Sequence, residues 1–340
     1  MEERKPTKIK IEPMMISRSP TIDDLVGTAR DFANDLKVAI EGEAIFGAMG
    51  VKADKSFLLY GPPATGKTMS VQALNNTLNA DFFNEIQESK KQVDEEGNLT
   101  VSMDKYKLMV YPYDIGKYGT AYINRGSKIV QRFFDYIGIQ ARYGQKCLVF
   151  LDEADSLLIN RTGGLQSHSE DRKILETIMK NLQAIHDVPN MYAVLATNLV
   201  DGCDDAALRA GRIDRRYKFD VPSKEQREKA FELVINEVNH NAGYKVVRNY
   251  NLGQLAQKTD KFNYADIRAV IEGTVRDRAV ELIKDKTKGI IPAAYVTQSR
   301  LEKTLTEQKK NYHKKVKRVE GFGRWKNNMY GYMNTKTMKL

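Results

Sequence analysis

A glycine-rich segment, residues 61–68, holds the residue types that bind phosphate groups. It reads Gly-Pro-Pro-Ala-Thr-Gly-Lys-Thr and fits the pattern G-x-x-x-x-G-K-[ST]. Its glycines let backbone N–H groups wrap a phosphate chain, Lys67 can reach the β- and γ-phosphates, and the Thr68 hydroxyl can bind Mg²⁺. The alternative is a plain turn between a strand and a helix. The predicted nucleotide-binding residues are those of this segment and the residue after it: Gly61, Pro62, Pro63, Ala64, Thr65, Gly66, Lys67, Thr68 and Met69.

A second segment joins an apolar run to acidic side chains. Residues 148–151 are apolar, and Asp152 and Glu153 follow directly. In enzymes with a phosphate-binding loop, an aspartate at such a strand end holds Mg²⁺, and a carboxylate beside it can deprotonate the attacking water. Asp152 is therefore predicted to bind Mg²⁺ together with Thr68, and Glu153 to act as the base. The alternative is a helix N-terminus with acidic capping residues.

Polar groups also follow the next apolar run. Asn198 could hydrogen-bond the γ-phosphate or the attacking water, although asparagine is also common in turns. Arg209, Arg212, Arg215 and Arg216 then fall within eight residues. Arginines supplied by another subunit can stabilise the charge on a transferring phosphoryl group. The alternative is a surface network of ion pairs with nearby aspartates.

Apolar patterning predicts the elements that must position these groups. Short apolar runs alternate with helical patterns up to residue 196, which favours a parallel sheet with helices on both faces. Beyond Pro222 only helices are expected, the first of them opened by a capping box at Ser223 and Gln226. Strands are predicted at residues 56–60, 107–113, 146–151 and 191–196, and helices at 21–49, 69–78, 128–141, 169–186, 223–239, 252–259, 265–284 and 297–310.

Shifts in composition divide the chain into segments. Residues 84–105 read as an insertion forming a β-hairpin, with strands at 87–93 and 99–103 around an Asp-Glu-Glu-Gly-Asn turn. No later strand is predicted between residues 197 and 221. The expected organisation is an extended N-terminal arm at 1–20, an α/β nucleotide-binding domain at 21–221, a small all-helical domain at 222–302 and a basic tail at 303–340.

Taken in order, these motifs resemble the AAA family, in particular AAA ATPases that remodel proteins. The resemblance covers about residues 21–300 and rests on four segments. Residues 61–68 resemble Walker A, 148–155 resemble Walker B, Asn198 resembles sensor 1, and 207–215 resemble the second region of homology. It implies a RecA-like P-loop NTPase fold with a small all-helical lid, and ATP and Mg²⁺ as cofactors.

The resemblance also implies roles for individual residues. Arg209 and Arg212 would be arginine fingers that reach the nucleotide of a neighbouring subunit in a ring, expected to be a hexamer. The implied catalytic set is Glu153, Lys67, Asn198, Arg209 and Arg212.

Outside the motifs, the resemblance points to groups near the base of the nucleotide. Asp24, Val26 and Gly27 look like the segment that lines the adenine pocket, and Ala265 looks like the start of the lid helix near the nucleotide. Ala64 departs from the family, which usually has glycine there. Alanine fits this loop without strain only if its φ is negative.

The family's pore loop is aromatic, aliphatic, glycine, and two segments of this chain approach that pattern. One contains Tyr118, and the other contains Tyr122 and Ile123, followed by asparagine instead of glycine. Counting back from Phe134 without gaps favours Tyr122 and Ile123. A tyrosine in a pore could grip an extended protein substrate. The alternative is that both tyrosines pack against the insertion.

Composition and charge exclude several classes of protein. The longest aliphatic-aromatic run, 191–196, is far shorter than a membrane span, no secretory signal is recognisable, and two cysteines cannot build a disulfide framework. A cytoplasmic protein is expected. The net charge is +10, of which residues 303–340 contribute +9 through eleven Lys/Arg and two Glu. This tail is a candidate for binding DNA or RNA, for docking on the protein, or for simple solvation.

The sequence therefore predicts Mg²⁺-dependent ATP hydrolysis by an oligomeric ring, coupled to unfolding, threading or disassembling protein substrates. The alternative is an ATP-switched loader or recombination factor that binds nucleic acid through its basic tail. The last four residues, Thr-Met-Lys-Leu, lack the hydrophobic-Tyr-any ending of proteasome activators, so a proteasome partner is not expected.

Overall fold

The computed structural model shows two compact units, Met1–Val221 and Pro222–Leu340. Among its described helices, none is both long and apolar enough to cross a membrane. The structure describes residues 11–89, 106–114, 126–154, 167–198, 213–284 and 295–309.

The first unit contains a five-stranded sheet in which every strand pair is parallel. The strand order is β2-β3-β4-β1-β5, so the phosphate-binding segment follows a strand inside the sheet. Parallel strands covered on both faces are expected to be almost wholly apolar, as β1, β3 and β4 are. The strands are β1 Ser56–Tyr60, β2 Met109–Asp114, β3 Cys147–Asp152, β4 Met191–Thr197 and β5 Arg215–Lys218.

Helices cover both faces of the sheet, which confirms the predicted layers. Alternate side chains of β1 enter different cores: Leu58 packs on one face, and Phe57 and Leu59 pack on the other. The face of Leu58 is covered by α4 and α5, and the opposite face by α1 and α2. The helices of this unit are α1 Thr28–Ala48, α2 Lys67–Leu78, α3 Ala80–Ser89, α4 Gly126–Arg142 and α5 Ser167–Ala184.

Strand β5 corrects the prediction that no strand lies between residues 197 and 221. Its sequence, Arg-Arg-Tyr-Lys, is polar and mostly exposed, so it carries none of the apolar pattern that marks buried strands. It pairs in parallel with β1 at the edge of the sheet. Edge strands tolerate charged side chains because one side of the strand faces water.

Helix α3 corrects part of the predicted hairpin. Residues 87–89, assigned to its first strand, end this helix instead. The apolar residues Phe82, Phe83 and Ile86 follow helical spacing, and the ring of Phe82 packs edge-on against Tyr106 at 4.7 Å. The remainder of the insertion, residues 90–105, lies outside the described residues.

The predicted helix at 21–49 is divided in the structure. A single 3₁₀ turn, Ile22–Asp24, comes first, and α1 begins only at Thr28. Gly27, which precedes α1, has φ of 56°, a left-handed conformation that interrupts a right-handed helix.

The second unit is helical, as predicted. Ser223 and Gln226 form the expected capping box at the start of its first helix. Arg227 is buried, and its guanidinium donates hydrogen bonds to the carbonyls of Pro222 and Ala256. The helices are α6 Lys224–Ala242, α7 Leu252–Gln257, α8 Tyr264–Lys284 and α9 at 298–309.

Candidate nucleotide-binding site

Gly61 turns the chain from β1 into the phosphate-binding loop. Its φ is 139°, and a Cβ placed on it would lie 1.9 Å from the carbonyl oxygen of Phe219. The N–H of Phe219 donates to the carbonyl of Tyr60 at 2.8 Å, so the chain leaving β5 lies directly against the loop. Only glycine fits this position without moving a backbone.

Ala64 does not meet the condition that the sequence set for it. Its φ is 60°, in the left-handed region, where an L-residue other than glycine costs about 1–2 kcal/mol. The loop therefore contains strain at the position where the family usually has glycine. Strain of this kind concentrates at functional sites, where the surrounding structure holds it in place.

Lys67 begins α2 directly after Gly66, whose φ of 101° turns the loop into the helix. The Lys67 side chain is buried and folds back over the loop, and its ammonium donates to the carbonyls of Gly61 and Pro62 at 2.8 Å each. A lysine ammonium and the positive end of a helix thus lie at the same loop. Together they favour an anionic ligand such as a phosphate chain.

Thr68 and Asp152 meet at the head of α2 and the carboxyl end of β3. The Thr68 hydroxyl donates to a carboxylate oxygen of Asp152 at 2.9 Å, which joins two motifs 84 positions apart in the chain. A hydroxyl and a carboxylate are the oxygen donors that Mg²⁺ accepts alongside phosphate and water. The described residues contain no group of three or more His, Cys, Asp or Glu suited to a metal. This pair fits an ion that draws its other ligands from the nucleotide and solvent.

Glu153 is exposed and has φ of 54°, the only described residue of this strand end in the left-handed region. Its N–H donates to the Asp152 carboxylate at 2.9 Å, and the next N–H, of Ala154, donates to the carbonyl of Ala196 at 3.0 Å. The second bond turns the chain toward the end of β4. Asn198, half-buried, follows the end of that strand directly.

The segment expected near the adenine lies in the same unit. The Asp24 carboxylate accepts hydrogen bonds from the N–H and the hydroxyl of Thr21, at 2.8 and 3.1 Å, so it stabilises the 3₁₀ turn. Val26 is half-buried. The N–H of Ile22 donates to the Thr77 hydroxyl of α2 at 2.9 Å, which connects this segment to the helix that leaves the phosphate-binding loop.

The remaining predicted site residues lie either in the second unit or outside the described residues. Ala265 is exposed in the first turn of α8, in the second unit, beside a reciprocal cap between Asn263 and Asp266. The other predictions lie outside the described residues: Arg209, Arg212, Tyr118, Tyr122 and Ile123.

Arg215 follows the alternative stated for the arginine run. Its guanidinium pairs with Asp54 at 2.6 Å and with Asp35 at 2.7 Å, both within the same chain. The arginine at the start of β5 is therefore engaged in an ion-pair network on the surface of its own subunit.

Asp214 has a structural role that the sequence does not predict. Its carboxylate accepts hydrogen bonds from the backbone N–H groups of Lys55 and Ser56, at 2.7 and 2.9 Å, and from the Ser56 hydroxyl at 3.0 Å. It thereby anchors the start of β5 to the start of β1. The signal in the sequence is an aspartate that stands among arginines within residues 209–216.

Cys147, at the start of β3, is not a candidate nucleophile. It is fully buried, and burial raises the pKa of its thiol to about 12. The thiolate, which is the reactive form, is therefore scarce at neutral pH.

Comparison with models of protein families matches residues 57–221 to the family described as "ATPase family associated with various cellular activities (AAA)". This segment, just under half of the chain, is an AAA domain. The matched residues contain the loop, the Thr68–Asp152 pair and all five strands except the first residue of β1. The AAA domain of this chain is thus an ATPase domain, with ATP and Mg²⁺ as its ligands.

Curated relatives share this similarity over most of the chain. The chain is 27% identical over 82% of its length to the cell division cycle protein 48 homolog of Archaeoglobus fulgidus, of which it covers 34%. It is 28% identical over 73% of its length to the 26S proteasome subunit RPT4 of Saccharomyces cerevisiae, of which it covers 48%. It is 27% identical over 74% of its length to the ATP-dependent zinc metalloprotease FtsH 1 of Conexibacter woesei, of which it covers 33%. The chain thus spans a third to a half of the length of these three relatives.

Proposed function

We propose that this chain hydrolyses ATP with Mg²⁺ in an oligomeric ring, a hexamer, and uses the energy to unfold, thread or disassemble proteins. The observation that supports it most directly is the 2.9 Å contact between Thr68 and Asp152. It joins the phosphate-binding loop to the acidic strand end, so one Mg²⁺ could be held by both.

The chain's own groups divide the work of hydrolysis. Lys67 and the N-terminus of α2 bind and neutralise phosphate oxygens. Thr68 and Asp152 hold Mg²⁺, which neutralises charge on the phosphates when bound. Glu153, exposed beside Asp152, takes the proton of the attacking water, and Asn198 orients that water or the γ-phosphate.

Two arginines complete the proposed site from a neighbouring subunit. Arg209 and Arg212 are proposed to stabilise charge that develops on the γ-phosphoryl group. Arg215 serves the fold instead, since Asp35 and Asp54 already hold it. Asp214 supports the proposal because it fixes the chain two residues after Arg212.

The proposal of a protein substrate draws on the relatives. Their names describe a proteasome subunit, a cell division cycle protein and an ATP-dependent metalloprotease. We propose that Tyr122 and Ile123, or Tyr118, contact the substrate in the pore of the ring. We also propose residues 21–221 as the nucleotide-binding domain, and residues 222–302 as a lid that places Ala265 near the nucleotide.

The test compares ATP binding and hydrolysis in the wild type and three variants of the full chain. Lys67→Ala should lose ATP binding, because it removes the ammonium that meets the phosphates. Glu153→Gln should keep ATP binding and lose hydrolysis by about 10²-fold or more, since the amide cannot accept the proton. Glu41→Gln, which changes an exposed carboxylate of α1, is the matched control and should hydrolyse ATP like the wild type.

Robust hydrolysis by Glu153→Gln would remove the assignment of the base. Normal ATP binding by Lys67→Ala would contradict the proposed phosphate site. To identify the substrate, the Glu153→Gln protein is isolated from its native cell with ATP present, and the retained molecules are identified. Retained protein supports a remodelling ring.

The basic tail favours a second candidate, an ATP-switched factor that binds nucleic acid. The observation that supports this candidate is the +9 charge of residues 303–340. Affinity for DNA or RNA should then fall steeply with salt and disappear when residues 303–340 are deleted. Weak binding that survives the deletion would exclude this candidate.

A further inference from the structure

Asn76, in the last turn of α2, holds the N-terminal arm of the chain. The residue is buried, and its amide oxygen accepts from the N–H of Ser17 at 2.8 Å. Its amide nitrogen donates to the carbonyl of Pro20 at 2.7 Å and to the Ser17 hydroxyl at 3.1 Å. One side chain thus binds the arm at both ends of a four-residue stretch.

Neighbouring amides of α2 extend this attachment along the arm. Gln72 donates to the carbonyl of Met15 at 2.9 Å, and Asn75 to that of Met14 at 3.3 Å. The N–H of Met14 in turn donates to Val110 of β2 at 2.6 Å. Residues 14–20 of the arm therefore lie between α2 and the edge strand β2, and the described residues of the arm, 11–20, form no helix or strand.

The arm leads directly into the segment expected at the adenine. Immediately after Pro20, Thr21 and Asp24 bond each other, and the N–H of Ile22 bonds Thr77 of α2 at 2.9 Å. Asn76 and Thr77 thus hold the chain on both sides of Thr21. Helix α2 begins at Lys67, nine residues before Asn76, which is about 13 Å along the helix axis.

We propose that Asn76 and Thr77 are positioning residues for the base of the nucleotide. Helix α2 acts as a rigid spacer: its first turn meets the phosphates, and its last turn sets the position of residues 24–27, which meet the adenine. This inference rests on the proposed function. On this proposal, binding of the base depends on the contacts of Asn76 and Thr77, although these residues touch neither the base nor the phosphates.

The experiment separates the base from the phosphates by using two ligands. Dissociation constants for Mg²⁺-ATP and for Mg²⁺-tripolyphosphate, which has no base, are measured with the full chain. Asn76→Ala should weaken ATP binding by about tenfold, the equivalent of one or two net hydrogen bonds, and leave tripolyphosphate binding unchanged. Thr77→Val, which keeps the shape and loses the hydroxyl, should act in the same direction by a smaller factor.

Two further variants provide controls. Asn181→Ala removes another nearly buried amide, one that bonds Gln131 and the carbonyl of Thr177 on the opposite face of the sheet. It should bind both ligands like the wild type even if it costs stability. Asn76→Asp keeps the acceptor for Ser17 and loses both donated bonds, so it should fall between the wild type and Asn76→Ala.

Each other result contradicts the inference. Equal loss of both ligands in Asn76→Ala and Thr77→Val would show general damage to the domain, and unchanged ATP binding in both would show that the arm does not position the base. If the wild type bound neither ligand, the proposed function would fail with it, and that outcome differs from failure in the variants alone. If Asn76→Ala does not fold, Thr77→Val and Asn76→Asp still decide between these results.

Discussion

Three residues of the phosphate-binding loop have positive φ angles, and one of them, Ala64, is not glycine. At Gly61 the need for glycine is absolute, because the carbonyl of Phe219 occupies the place of a side chain. At Ala64 the cost is conformational and can be measured.

Ala64→Gly should raise the free energy of unfolding by about 0.5–1 kcal/mol, measured by urea titration. The substitution removes about 1–2 kcal/mol of left-handed strain and adds the larger chain entropy of glycine in the unfolded state. Ala44→Gly, in the exposed interior of α1, is the matched control and should lower the same quantity by about 1 kcal/mol. Two losses of equal size would contradict the strain at Ala64.

Between elements, a partly buried charged network joins α1 to the amino ends of β1 and β4, at the end of the sheet opposite the site. The Glu43 carboxylate contacts the Lys55 ammonium at 2.7 Å, the Tyr192 hydroxyl at 2.6 Å and the N–H of Asn190 at 3.1 Å. Burial raises the pKa of Glu43, but the hydrogen bonds from Lys55 and Tyr192 and the charge of Lys55 outweigh it, so the pKa lies below its ordinary value of 4.5.

Glu43→Gln should lower the free energy of unfolding at pH 7 by about 1–3 kcal/mol, because Lys55 stays buried without its carboxylate. A lowered pKa stabilises the fold above the unfolded value of about 4.5, and that stabilisation is lost as the pH falls through the folded value. The difference between wild type and variant should therefore shrink below about pH 4.5. Glu41→Gln, an exposed neighbour on α1, should change stability by less than about 0.5 kcal/mol at every pH. A difference between wild type and Glu43→Gln that does not depend on pH would contradict the network.

Apolar patterns in the sequence predict the buried strands of this protein better than its edge strand. The buried strands β1, β3 and β4 were predicted closely because continuous apolar runs reflect burial on both faces. Strand β5 is not predicted from the sequence, because its pairing with β1 depends on an edge position and on Asp214, and neither produces an apolar pattern. The sequence predicts a strand instead of a helix at residues 87–89, because these last three residues of α3 are all polar and show no apolar period.

For the whole molecule, the proposed ring makes each active site depend on two subunits. An Arg212→Ala subunit keeps its own phosphate site but lacks one of its two arginine fingers. A Lys67→Ala subunit keeps both arginine fingers but lacks a working phosphate site. Each variant alone should hydrolyse ATP at least 10²-fold more slowly than the wild type, and mixing them should restore measurable hydrolysis. The measurement is the ATPase rate as a function of the mixing ratio.

Arg215→Ala is the control for this experiment. In the wild type, Asp35 and Asp54 of the same chain hold the Arg215 guanidinium, so Arg215 is not expected to reach another subunit's nucleotide. Arg215→Ala should therefore hydrolyse ATP on its own, without being mixed with a second variant. If no mixing ratio restored any rate, arginines acting between subunits would be excluded.

The phosphate-binding loop, the acidic strand end, the layered fold and the family can be predicted from the sequence, because these depend on residue types at short and fixed spacings. Which side chains contact each other depends on the tertiary structure. The Thr68–Asp152 contact, the clash that demands Gly61, the anchoring of β5 by Asp214 and the attachment of the arm to Asn76 each join residues 56 to 159 positions apart. Such contacts follow from the packing of the whole sheet and its helices, and no local pattern encodes them.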